Sequence, residues 1–206
     1  MKNRAYSTIL AVTVIILAVT SCTKAVNDGF VEDPIMKRLS EVEPVVCAVV
    51  DDPILTFSVY SEGRYPATAH RGLRINAEAE AAHILRSFVV DQIILASNAE
   101  GANGIIDEAF VREITSGIKA EGIVSGLIMT KRKDLFLKKS DGSRYAYCQG
   151  DFSFTDASSV EKIVKDMMKD AEENVIKSQK YDENIKKMIK KAKTNIESFK
   201  AKEIFN

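Results

Sequence analysis

The chain has 206 residues, with 29 basic side chains balancing 29 acidic ones and a hydrophobic share of 46%. That length suits one domain with appendages, and the absence of net charge argues against nucleic acid or acidic polymers as partners. Three cysteines and no tryptophan leave little for a disulfide scaffold or a carbohydrate-stacking platform.

Lys2 and Arg4 precede an uncharged apolar stretch from Ile9 to Val19, followed by the small pair Thr20-Ser21 and then Cys22. A basic start, a short apolar middle and a small-residue exit make a secretory signal peptide, too short for the roughly 20 apolar residues of a spanning helix. The exit Val19-Thr20-Ser21-Cys22 resembles the bacterial lipobox. That resemblance implies cleavage after residue 21, with Cys22 lipidated, for instance with palmitate, as the mature N-terminus. Each buried methylene contributes about 0.8 kcal/mol, so two or three acyl chains tether a protein firmly without embedding it. Thr23 follows in place of the aspartate that resembles an inner-membrane retention signal, which favours the outer membrane, facing the periplasm or the cell surface. Without residues 1–21, which hold two basic and no acidic side chains, 27 basic residues face 29 acidic ones, a net charge of −2.

Residues 22–45 lack sustained periodicity and read as a tether. In "ILTFSVYSE" Leu55, Phe57 and Val59 alternate with Thr56, Ser58 and Tyr60, the period of a half-buried strand. Gly72 is expected to open a long helix through "LRINAEAEAAHILRSFVVDQIILAS", with Ala77, Ala81, Ile84, Leu85, Phe88, Gln92 and Leu95 on its buried face. A loop containing Gly101 and Gly104 leads to a second helix, about 106–119, with Ile106, Phe110, Ile114 and Ile118 at steps of four. Two strands, 123–135 and 144–154, form an antiparallel hairpin around Asp141-Gly142. A further helix starts at an N-cap, Asp156 or Ser158, and carries Val160, Ile163, Val164, Met167, Met168 and Ala171.

Beyond residue 177, Ile185, Ile189, Ala192, Ile196 and Phe199 follow steps of 4, 3, 4 and 3, while Lys186, Lys187, Lys190, Lys191 and Lys193 crowd the other positions. The pattern fits a helix docked on its own domain, a partner helix, or a surface that meets anionic lipid or cell wall. The organisation is therefore a signal peptide (1–21), a tether (22–45), a domain (46–176) and a lysine-rich helical tail (177–206). The fold class is α+β, a three-stranded antiparallel sheet packed on a long helix in the order β-α-α-β-β-α.

Chemistry-bearing motifs are few. His70 and His83 have no Cys, Asp or Glu at metal-ligand spacing on a shared helix face, so neither a metal nor another cofactor is read from the sequence. No nucleophile-elbow, zinc-protease or phosphate-loop motif is present. The Gly101-Ala-Asn-Gly104 loop mimics the backbone clamp of a nucleic-acid module, but it holds no basic residue and is bordered by Glu100 and Asp107. It reads as a helix-connecting turn, with no nucleic-acid partner and no catalytic residue. Cys47 and Cys148 remain, as a disulfide in an oxidising compartment or as two free thiols.

The lipobox, the run "GLRINAEAEAAHILRSFVVDQIIL", the later "GIVSGLIMTKR" and the strand "YAYCQGDFSF" together resemble the LPP20-like bacterial lipoproteins over about residues 50–171. These include a membrane-associated surface antigen and a lipoprotein of the flagellar basal disk. Gly72, Ala77, Ala79, Ala81, Ala82 and Gly122 carry the likeness, whereas Phe88, Val89 and the lysine-rich extension depart from it. The resemblance implies a compact α+β domain on a lipid anchor, associated with itself as a homo-oligomer or with other envelope proteins; the missing catalytic motifs lead to the expectation of no enzymatic activity.

Overall fold

A computed structural model describes residues 34–99, 108–119, 126–177 and 182–205. Cys22 and the Gly101–Gly104 loop lie outside them. Residues 39–206 make up one compact unit; of the preceding residues, only 34–38 are described, as the first turns of helix α1 (Pro34–Ser40).

The unit is α+β with a four-stranded antiparallel sheet. In chain order α1 is followed by β1 (Val45–Val46), β2 (Ile54–Gly63), α2 (Pro66–Ala99), α3 (Glu108–Gly117), β3 (Leu127–Lys138), β4 (Arg144–Phe154), α4 (Ala157–Lys177), α5 (Glu183–Glu197) and α6 (Ala201–Phe205). The sheet order is β1-β3-β4-β2. The expected three strands and their connecting order are present, and the fourth is an addition. Val45 and Val46 pair with Arg132 and Lys131 at the edge of β3. Two residues are too few for an alternation that could be read from sequence, so the end of the supposed tether belongs to the sheet.

The hairpin forms around Gly142, whose φ of +85° is a left-handed value that a side chain would oppose. The Asp141 carboxylate closes the turn by accepting from the Ser143 amide at 2.8 Å. On β2 the strict alternation breaks at its start: Ile54 and Leu55 are both buried, and the register with β4 shifts between Ile54 and Phe57. Leu55 has φ +51°, a left-handed conformation uncommon for a bulky residue, which turns two successive apolar side chains into the core.

Helix α2 begins at Pro66, six residues before the expected start. Pro66 suits a first helical position, where its missing N–H would have had no helical partner. Gly72 is interior and serves close approach instead of opening the helix: a Cβ there would stand 2.0 Å from Ser61 Oγ and 3.2 Å from Ser61 Cβ on β2. Ala69, Leu73, Ala77, Ala81, Leu85, Val89 and Ile93 form the buried row, at steps of four. The small residues of its first half let the helix lie directly on the sheet. In the second half Ala96 and Ser97 continue the buried face, and Leu95, expected inside, is exposed.

Helix α4 is capped by Asp156, which accepts from the Ser158 and Ser159 amides at 3.0 and 3.1 Å and from their hydroxyls at 2.7 and 2.8 Å. These bonds, led by that from the Ser158 hydroxyl, hold the carboxyl down to about 2. Because the folded value lies below the ordinary 3.8, the charged cap contributes fully above pH 3.8 and its contribution is lost as pH falls towards about 2. Asp156→Asn keeps an N-cap acceptor with no proton to gain. Acid titration followed by circular dichroism should therefore be shallower for this variant than for wild type below pH 3.8; superimposable curves would refute the assignment.

The tail is not an appendage. Asp182 caps α5 by accepting from the Asn184 and Ile185 amides, both at 2.9 Å. Ile185, Met188, Ile189, Ala192, Ile196 and Phe199 are then buried in the core shared by α2, α3 and α4. The apolar seam docks on its own domain, and the lysines stay exposed on the other face.

Candidate functional site

The first half of α2 lies over β2 and β4, and at its start one cluster of polar side chains converges with β3. Antiparallel register sets Asp134 directly opposite Cys148. Both point to the helix-covered face, as does Arg132, two residues earlier on β3. His70, one turn into α2, reaches down to them.

His70 Nε2 stands 3.0 Å from Asp134 Oδ1, and Arg132 Nε donates to Asp134 Oδ2 at 2.9 Å. The Cys148 thiol donates to the same carboxylate. Asp134 thus accepts from three groups at a partly buried position. Burial pushes its carboxyl pKa up, but the hydrogen bonds from Cys148 and His70 and the charge of Arg132 outweigh it, and the net direction is down. Cys148 moves the other way: burial first, then the neighbouring carboxylate, push its thiol up to about 12.

These directions decide what the cluster can do. Nucleophilic cysteines need a lowered pKa and an imidazole within reach to take the proton. Here the carboxylate stands between thiol and imidazole, and Cys148 is protonated at neutral pH. The arrangement is a hydrogen-bonded lock between helix and sheet, not an activated thiol. It does unite a nitrogen, an oxygen and a sulfur donor, all within 4.8 Å of one another.

Two concavities flank the lock. A cleft of about 160 Å³ is lined by His70, Arg74, Glu78, Leu127, Met129 and Phe152. A wider groove, about 700 Å³, lies at the hairpin end of the sheet, where Tyr65, Phe136 and Tyr145 stand among Arg64, Lys138 and Arg144.

The anticipated site residues are dispersed. Cys47 and Cys148 do not form a disulfide: both are free thiols. Cys47 is exposed just after β1, its amide bonded to Thr130 O at 2.8 Å, whereas Cys148 is buried in central strand β4 beneath α2. Lys186, Lys187, Lys190, Lys191 and Lys193 are exposed on α5. Lys186 pairs with Glu183 at 3.6 Å and Lys193 with Glu172 at 2.8 Å, so part of the basic stripe is answered by the domain's own acids. His83 is exposed in mid-helix, away from the cluster. Asp134 and Arg132 attract no notice in sequence. Only the hairpin register, with its shift between Met129 and Lys131, reveals that "KRKDLF" sends alternate residues beneath the helix.

The class these features define is an α+β domain with a helix-covered antiparallel sheet. No protein-family model, curated protein or solved structure matches the chain.

Proposed function

We propose that this chain is a lipid-anchored bacterial cell-envelope protein with a structural or interaction role, held at the outer membrane through Cys22. The observation that carries the reading is the exit Val19-Thr20-Ser21-Cys22 after the apolar run from Ile9. The likeness to LPP20-like lipoproteins supports it. No helix among the described residues is long and apolar enough to cross a membrane. An interaction role is supported by the sheet edge. The β1 segment covers β3 from Thr130 to Arg132, and Val45, Val46 and Phe136 along that side are more than half exposed.

The test is Cys22→Ala in the full chain expressed in a bacterium, with membrane fractionation and incorporation of radiolabelled palmitate. Wild type is expected in the membrane fraction carrying label, and the variant in the soluble fraction without it; a variant as membrane-bound as wild type overturns the anchor. A second reading, a tethered module that binds an anionic ligand or surface, is favoured by the three cations and three aromatic rings of the wide groove. The released Cys22→Ala protein would then sediment with anionic vesicles, and Arg144→Glu would abolish this.

A further inference from the structure

We propose that His70, Asp134 and Cys148 bind one divalent transition-metal ion of the zinc class. Each donor comes from a different element, α2, β3 and β4, so the set is assembled by the tertiary fold. The three donor atoms lie within 4.8 Å of one another. One imidazole nitrogen, one carboxylate oxygen and one sulfur match the ligand preferences of zinc and its neighbours; calcium and magnesium take oxygen alone.

The donors, spread over no more than 4.8 Å, must draw together around the ion. With metal bonds of about 2.0–2.3 Å, neighbouring ligands in a tetrahedron stand roughly 3.4–3.6 Å apart. His70 Nε2 and Asp134 Oδ1, now at 3.0 Å, must part by a few tenths of an ångström, within reach of a turn of the half-buried imidazole. Arg132 keeps Asp134 Oδ2 at 2.9 Å and so orients the carboxylate with Oδ1 towards His70, the kind of outer support that ligating carboxylates commonly have. The fourth position falls to water, with room in the adjoining cleft lined by His70, Glu78 and Met129.

Charge limits the affinity. Binding replaces the thiol proton: M²⁺ + Cys148–SH gives M²⁺–⁻S–Cys148 and H⁺ released to solvent. With Asp134 and Arg132 cancelling, the loaded cluster carries a net +1, counting neutral His70. That suits an exchangeable ion better than a structural one, in a domain that already has its own apolar core.

The experiment uses the full chain carrying Cys22→Ser and Cys47→Ser, which leaves Cys148 as the only thiol. Cobalt(II) titration should give thiolate-to-cobalt charge-transfer absorption that saturates at one ion per chain and is erased by zinc. His70→Asn should weaken cobalt binding at least tenfold, with circular dichroism confirming that it is folded, and Cys148→Ser should remove the absorption. The proposal is overturned if charge-transfer absorption never develops, or if the folded His70→Asn chain saturates at the same cobalt concentration as its parent. The His70 variant leaves the core untouched and decides the matter even if replacing Cys148 prevents folding.

Discussion

A chain ending at Asp182 is expected to lose its cooperative unfolding transition altogether, not to shed a dispensable tail. Residues 183–205 contribute Ile185, Met188, Ile189, Ala192, Ile196, Phe199 and Ala201 to the buried core. Removing them would expose the apolar faces of α2 and α4 to water. Phe199 also completes an aromatic group with Phe88, at 4.8 Å between ring centroids, and Phe205, at 5.9 Å. Such rings contribute about 0.5–1.5 kcal/mol per pair beyond the area they bury. A single substitution isolates the effect: Met188 is fully buried, and Met188→Ala should lower stability by about 2–5 kcal/mol. Lys187→Gln and Lys190→Gln, on the exposed face of the same helix, should stay within about 0.5 kcal/mol of wild type. Urea denaturation checks both. Equal midpoints for Met188→Ala and wild type would mean that α5 is not part of the core, and the basic face should be probed by such neutral substitutions, because deletion would confuse lost binding with lost folding.

Among single substitutions, Phe154→Ala should be more damaging than Met188→Ala. Phe154 is fully buried at the end of β4, paired across the sheet with Ile54 on one side and Leu127 on the other. Its ring lies so near Gly126 that a Cβ there would stand 2.9 Å from it. Three strands and the entry to β3 therefore close around one ring, and little can collapse into the space it leaves. Loss of a buried phenylalanine costs about 3–5 kcal/mol. In a domain of this size each kcal/mol lowers Tm by roughly 2–4 °C, so a fall on the order of 10 °C is expected in calorimetry. A shift below about 3 °C would show that the cavity refills, contrary to this packing.

What could be read in advance was what depends on neighbours in sequence. The turn at Asp141-Gly142, the Asp156 cap and the seam from Ile185 to Phe199 all rest on local periodicity or local hydrogen bonding, and all are present. Gly72 misled because a glycine needed for close packing looks, in one dimension, like a glycine that marks a helix boundary. Leu95 misled because the buried row of α2 proceeds strictly by fours to Val89 and Ile93, which places Ala96 and Ser97 inside. The His70, Asp134 and Cys148 cluster was hidden for a stronger reason: 64 residues separate His70 from Asp134, and only a hairpin register interrupted at Met129 brings Asp134 opposite Cys148.

The integration of α5 and α6 also governs timing. β2 must wait for β4, whose Phe154 pairs with Ile54, before its ladder can form, and α6 later ties back through Lys202 to Asp52. Contacts between residues so distant along the chain carry a loop-closure cost and slow folding relative to local helices. Synthesis or threading through a pore therefore leaves β2 without its ladder until residue 154 has emerged, and the core incomplete until α5 and α6 follow. For a protein proposed to cross one membrane before residing at another, delayed closure disfavours a completed fold before the chain has passed.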